Sequence, residues 1–296
     1  MDWDDLRVVL AVARCGSLSG AARALGTSQP TVSRRLNAFE RRLGTTLFER
    51  GASGLVATSL CSGVVEALDQ MEEGALAVER RIAGRDTGLQ GPITVTSLDW
   101  FGDYVVAPVL AQFAQQHPMV EIELLNEGRV FNLSRSEADL AFRFFPFEQE
   151  DLYQRKVAEI GYGLYSSPAY LEKHGPPNFA NGCAGHGVVT LHKAASGASH
   201  SKWLRSIAPR AQVILRANSL WSQRAVAEAG DGLVALPRVL GDSRPALRRI
   251  ETPTPEPIHS IWLGVHADMR ETPRIRALLD FAADELKTQS ATLNPG

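Results

Sequence analysis

Gly16-Ser17-Leu18-Ser19-Gly20-Ala21-Ala22-Arg23-Ala24-Leu25-Gly26-Thr27-Ser28-Gln29-Pro30-Thr31-Val32-Ser33-Arg34-Arg35-Leu36 is the stretch that decides the fold. Ser17 offers a side-chain oxygen to the free N–H groups of a helix with Leu18, Ala21, Ala22 and Leu25 on one face. Gly26 stands where a left-handed residue closes that helix. Thr27 or Ser28 then caps the next one, and Pro30 sits in its first turn, where a missing N–H costs little. Val32, Leu36, Phe39 and Leu43 form its buried stripe, with Pro30, Arg34, Asn37 and Arg41 opposite and Gly44 at its end. Upstream, Leu6, Val9, Leu10 and Ala13 predict a first helix. Two helices joined by a tight turn, with alanines between them, fit a helix-turn-helix. Gln29, Thr31 and Ser33 at the start of its second helix are of the kind that enters a major groove. A capped surface helix that touches nothing has the same local pattern.

Charge separates this head from the rest. The 296-residue chain carries 31 Lys and Arg against 33 Asp and Glu, a net charge of −2, and is 44% hydrophobic, as a globular protein is. Residues 14–50 hold seven arginines (Arg14, Arg23, Arg34, Arg35, Arg41, Arg42, Arg50) against Glu40 and Glu49. A basic head on a near-neutral body suggests a module for an anionic partner. The apolar run Val8 to Ala13 follows Asp2, Asp4 and Asp5, where a secretory signal would carry positive charge. No apolar stretch approaches the ~20 residues that span a bilayer, so no membrane partner is expected. Cys15, Cys61 and Cys183 form no disulfide framework or zinc ligand set, and a reducing cytoplasm is expected.

The stretch quoted above, with Phe39-Glu40, Leu43-Gly44 and Leu47-Phe48-Glu49-Arg50, resembles the N-terminal winged helix-turn-helix of the LysR-type transcriptional regulators. The resemblance covers about the first sixty residues densely. Val56-Ala57-Thr58-Ser59-Leu60-Cys61 departs from the usual wing ending, with Cys61 where a glycine would stand. The resemblance implies Gln29, Pro30, Ser33 and Arg34 in the groove, Ser28, Thr31 and Arg35 beside them, and Arg50 and Thr58 near the DNA backbone at the wing. Helical periodicity agrees for Pro30 and Arg34 but sets Gln29 near the buried stripe.

Val64, Leu68, Met71, Ala75, Val78 and Ile82 recur at alternating spacings of four and three, the seam of a short coiled coil. A helix packed on its own domain gives the same spacing; the resemblance implies a linker helix that dimerises. Gly84, Asp86, Thr87, Gly88, Gly91 and Pro92 mark a hinge. The expected organisation is a DNA-binding head at 1–58, a dimerising helix at 59–86, a hinge at 87–92 and a second domain at 93–296.

Beyond residue 93, strands and helices alternate, implying an α/β domain with a largely parallel sheet and two subdomains, about 93–161 with 267–288, and 162–266. Strands are expected at 93–96, 120–125, 139–142, 162–165, 188–191, 213–216, 232–236 and 260–265, and helices near 104–116, 130–136, 168–174, 220–229 and 273–287. Phe113 with His117-Pro118, Glu137-Ala138-Asp139-Leu140-Ala141 and Gly230-Asp231-Gly232-Leu233-Val234-Ala235-Leu236-Pro237 resemble landmarks of the same family's effector domain, which has a periplasmic-binding-protein-like fold with a cleft. Ligands in open α/β sheets lie beyond the C-terminal strand ends. That rule selects Ser97, Leu98, Trp100, Asn126, Gly128, Arg143, Phe144, His192 and Ser219, with Ser97 foremost, before a helix starting near Gly102 or Asp103. Asp99 repels an anion there unless Arg143 or another cation offsets it.

Enzyme signatures are missing. There is no GxGxxG and no Walker A run, and Ser199-His200-Ser201-Lys202 matches SxxK without companion motifs. The histidines show no HExxH spacing, and no metal or cofactor is expected. The expected protein is a homo-oligomeric, effector-responsive, non-enzymatic regulator that binds double-stranded promoter DNA, works at the nucleoid and meets RNA polymerase if it activates. The rivals are an α/β enzyme with an accessory head and a solute-binding protein of a transport system.

Overall fold

The computed structural model describes residues 2–51, 54–83, 88–126, 133, 137–192 and 198–295, apart from the side chains of 73, 77 and 79–83. The chain divides into two compact units, Met1–Arg81 and Ile82–Gly296.

The first unit starts with α1 (Trp3–Cys15), α2 (Leu18–Ala24) and α3 (Gln29–Leu43). The Asp2, Ser17 and Ser28 side chains each accept a backbone N–H of the turn that follows, so all three helix starts are side-chain capped. Of the two candidates, Ser28 caps α3. Gly26 takes φ 61°, the left-handed conformation that turns the chain between α2 and α3. Leu6, Val9 and Leu10 of α1, Ala21 and Ala22 of α2, and Val32, Leu36 and Phe39 of α3 close one core. Leu43 does not join it: the core ends a turn earlier, at Phe39, and Leu43 is 43% exposed. The hairpin β1 (Phe48–Gly51) and β2 (Gly54–Ala57) follows, and then the long α4 (Ser59–Ala83).

The second unit is built on a nine-stranded sheet. Its strands are β3 (Gly91–Ser97), β4 (Val120–Asn126), β5 (Leu140–Arg143), β6 (Leu152–Ser166), β7 (Gly187–Leu191), β8 (Gln212–Ala217), β9 (Leu233–Pro237), β10 (Arg248–Ile250) and β11 (Ile258–His266). The order is β4-β3-β5-β11-β6-β9-β7-β8, with β10 also on β6. The expected largely parallel sheet is corrected to a mixed one. β3 pairs in parallel with β4 and β5, and β7 with β8 and β9, but every pairing of β6 and β11 is antiparallel.

β6 joins the lobes. Residues 152–161 pair with β11, and residues 162–166 pair with β9 and β10. β11 also pairs with β5, so residues 258–266 lie with the first lobe rather than the second, where the sequence reading put them. The helices are α5 (Asp99–Phe101), continued by a π turn at Gly102–Val106 into α6 (Ala107–Gln116), then α7 (Pro168–His174), α8 (Ser199–Ile207), α9 (Leu220–Glu228), α10 (Arg238–Gly241), α11 (Pro273–Thr288) and α12 (Ser290–Leu293). Ile275, Leu278, Leu279, Ala282 and Leu286 of α11 are buried in the core that holds Ile93, Val95 and Phe113, returning the chain end to the first lobe. The helix expected at 130–136 falls almost wholly outside the described residues.

Candidate DNA-reading face and effector cleft

The start of α3 presents the predicted reading residues. Gln29, Pro30 and Arg34 are exposed, so Gln29 projects past the helix end instead of joining the stripe. Ser28 and Thr31 share a hydroxyl–hydroxyl hydrogen bond of 2.8 Å, and Asn37 donates weakly to Ser33 at 3.5 Å. Arg35 is tied back to Asp4 of α1 at 3.3 Å, as Arg42 is to Asp5 at 3.1 Å. Arg34 has no such anchor among the described residues and is exposed, which leaves its guanidinium the more available of the adjacent pair.

At the wing, Arg50 is exposed on β1. The Thr58 hydroxyl is already committed: it donates to the Leu47 carbonyl at 3.1 Å and accepts the Cys61 N–H at 3.2 Å. Thr58 thereby caps α4 and ties it to the residue that precedes β1. Glu40, which the sequence reading passed over, accepts the N–H of Leu47 at 2.6 Å and of Phe48 at 3.3 Å, fixing the wing against α3. Cys61 is buried in the head's core, and burial, with the Glu40 charge behind it, pushes its thiol pKa up.

The predicted seam on α4 divides. Leu68 is only 3% exposed and belongs to the head's own core, on which Val64 packs. Met71, at 50% exposure, Ala75 and Val78, at 57%, are left uncovered. The Ile82 side chain lies outside the described residues. Arg14 of α1 bonds Asp69 at 2.5 Å and Glu72 at 2.6 Å, locking α4 to the head beside the point where burial stops.

In the second unit a cavity of about 840 Å³ opens between the lobes. Leu98, Asp99, Trp100, Phe144 and Phe145 line it from the first lobe. Leu191, His192, Ala198, Ser199, His200, Asn218 and Leu220 face them from the second, with Tyr162 of β6 and His259 of β11 between. Leu98, Trp100, Phe144 and His192 are therefore where the strand-end rule put them.

Other predicted residues sit elsewhere. Ser97, the last residue of β3, is wholly buried on the sheet, with its hydroxyl 3.5 Å from the Leu98 carbonyl; the helix starts at Asp99, sooner than expected. Asn126 donates to Asp103 at 2.6 Å, and Gly102 has no side chain that would collide with it. Arg143 is 2% exposed and donates to the carbonyls of Phe142 at 2.8 Å and Thr96 at 3.4 Å; burial draws its pKa down to about 10. Ser219 precedes α9 without capping it and is not in the wall. Gly128 lies outside the described residues.

Tyr162, Ser199, His200 and His259 were missed. The Ser199 hydroxyl and His259 Nε2 are 2.6 Å apart, and the His200 ring stacks on Tyr162 at 4.6 Å. Desolvation lowers the pKa of both His259 and His200, the latter to about 3, with the His259 charge as a second cause. Asp99 moves the other way: burial raises its carboxyl pKa, and Asp103 adds to this. No cluster of metal-ligating side chains occurs among the described residues, and no described helix is long and apolar enough to cross a membrane.

A helix-turn-helix head followed in the chain by a two-lobed α/β unit with a cleft is the make-up of a ligand-responsive DNA-binding regulator. Residues 3–61 match the family model described as a bacterial regulatory helix-turn-helix protein of the lysR family, and residues 86–287 match that of the LysR substrate binding domain. The chain belongs to the LysR family: it is a DNA-binding transcriptional regulator with a substrate-binding domain. It is 26% identical over 291 residues to the Mau operon transcriptional activator of Paracoccus denitrificans, covering 96% of each chain. Among solved structures it resembles CrgA, a LysR-type transcriptional regulator from Neisseria meningitidis, at 24% identity and a TM-score of 0.58, over 97% of this chain and 99% of that one. It also resembles AphB, a virulence activator from Vibrio cholerae, at 20% identity and a TM-score of 0.63, over 96% of this chain and 99% of that one.

Proposed function

We propose that the start of α3 reads promoter DNA, with Arg34 and Gln29 on base edges, Pro30, Thr31 and Ser33 packed into the groove, and Arg50 on phosphate. The observation that carries this is the pairing of Arg35 with Asp4 while Arg34, Gln29 and Pro30 stand clear. Residues 1–58 form the reading head, the uncovered part of α4 (Met71, Ala75 and Val78) joins two chains, and 87–92 act as the hinge to the effector domain. Two heads held together read two half-sites, and the helical repeat of DNA fixes their spacing. A small molecule enters the cleft faced by Trp100, Phe144, Tyr162 and His200 and shifts the population of two head spacings. The protein works in the cytoplasm at the nucleoid. The Paracoccus relative is named an activator; an activating role here brings RNA polymerase as a further partner.

The test is a footprint on the DNA flanking the protein's own coding region, with and without a ligand found by thermal shift. Two protected half-sites whose spacing changes with ligand support the reading. Protection without base preference, or a footprint identical in both states, refutes it.

A further inference from the structure

Among the described residues, the cleft wall holds a single formal charge, and it is the negative charge of Asp99. Asp99 is half-buried at the start of α5, and among the described residues it accepts a hydrogen bond from the Trp100 N–H. Asp103 lies four residues on and adds to the negative field. Three nearby cations among the described residues are engaged elsewhere. Arg216, exposed, donates to the Leu191 carbonyl at 3.4 Å. Arg143 lies behind the wall on backbone carbonyls, and Arg224 sits over the Trp221 ring and pairs with Glu228. A carboxylate ligand entering here meets one like charge and no described counter-charge, which is unfavourable in a partly desolvated site.

The remaining polar groups are uncharged. His200 is 8% exposed, and neither ring nitrogen has a hydrogen-bond partner among the described residues. A neutral imidazole has one donor and one acceptor, and a buried pair left empty is a cost that a ligand can relieve. Trp100 and Phe144, 5.7 Å apart between ring centres, supply faces that attract a cation. An ammonium group beside an aromatic body answers all three features: it neutralises Asp99, donates to a histidine nitrogen and packs on the rings.

We infer that the effector of this cleft is an aromatic amine bound in its protonated form, not a carboxylate. The inference rests on the proposal that the effector binds between the lobes.

The experiment titrates the full-length protein at neutral pH with three probes of one shape: phenethylamine, 2-phenylethanol and 3-phenylpropionate. Calorimetry and melting temperature are the readouts, on the unmodified chain and on Asp99→Asn and His200→Phe. Phenethylamine is expected to bind at least about tenfold tighter than 3-phenylpropionate, the advantage of a charge-assisted bond over a repelled charge. Asp99→Asn is expected to erase that preference, and His200→Phe to weaken the amine. The ranking on the unmodified chain depends on no variant folding. Equal or tighter binding of 3-phenylpropionate that the two substitutions still alter overturns the charge class and leaves the cleft reading standing. Binding indifferent to both substitutions places the ligand elsewhere and overturns both. No response to phenethylamine at millimolar concentration overturns the inference.

Discussion

The Trp221 indole N–H donates to the Asp103 carboxylate across 3.2 Å, joining α9 to the π turn that precedes α6. Asp103 also accepts from Asn126 and lies beside Tyr104, whose ring is 6.2 Å from that of Trp221. The contact links the first lobe to the second through side chains. Asp103→Ala removes an exposed hydrogen bond to a charged group, a loss of about 1 kcal/mol from the closed arrangement. A ligand that needs closure then binds roughly fivefold more weakly. Calorimetric titration checks this, and an unchanged binding constant would show that the contact plays no part in closure.

Adjacent arginines on α3 should behave differently. Arg34→Ala is expected to lose about 1–3 kcal/mol of specific DNA binding and to relax the base preference, as loss of a bidentate base contact does. Arg35→Ala breaks the exposed pair with Asp4, worth about 0–1 kcal/mol of stability, and leaves base preference intact. Binding titrations against a panel of substituted operators separate the two, and equal loss of preference would assign both to base reading.

The head was legible because its signals are local. Ser17, Ser28, Gly26 and Gly44 punctuate helices within a few residues of where they act, and the apolar spacings fix which faces are buried. Leu43 failed because periodicity tells which way a side chain points but not where the opposing core ends. In the second unit, seven of the eight expected strands lie within about two residues of the observed ones, 162–165 being the exception, yet the sheet's directions were misread. The antiparallel pairing of β6 with β11 joins residues about a hundred apart, which no local pattern encodes. For the same reason no spacing could join His200 to His259: one lies on α8, the other on β11, and only the fold brings their rings to 5.4 Å. Ser97 ends β3 and is wholly buried: a strand end is legible in the sequence, but not which face of the sheet its last side chain takes.

The division of the α4 seam gives two separable outcomes. Leu68→Ala opens a hole in the head's core and should destabilise that unit by about 2–5 kcal/mol. Met71→Glu with Val78→Glu touches only exposed side chains, so the head should melt as before while the dimer dissociates. Each exposed apolar side chain that a partner buries is worth roughly 1.5–3 kcal/mol. Sedimentation velocity and thermal melts read the two effects. An unchanged sedimentation coefficient in the double variant would place the chain-to-chain contact elsewhere.

Stability of the second unit should fall on acidification, and His200 should be a main cause. Its pKa drops from 6.5 to about 3 because burial, with its ring stacked on Tyr162, removes water from the imidazolium, with the His259 charge as a lesser cause. The sign follows from the unfolded chain, where a histidine takes up a proton near pH 6.5 that the folded site refuses. Above that pH both states are neutral and the contribution is complete. As pH falls through 6.5 the unfolded state gains the proton, and stability drops by about 1.4 kcal/mol per pH unit until the folded site also titrates. His259, lowered in the same direction, adds to the slope. His200→Phe keeps a ring on Tyr162 but has no proton to bind, so its denaturant midpoint should decline less between pH 7 and pH 5. The measurement is a series of urea unfolding curves across that range, and identical slopes for the two proteins would show that His200 is not a main cause.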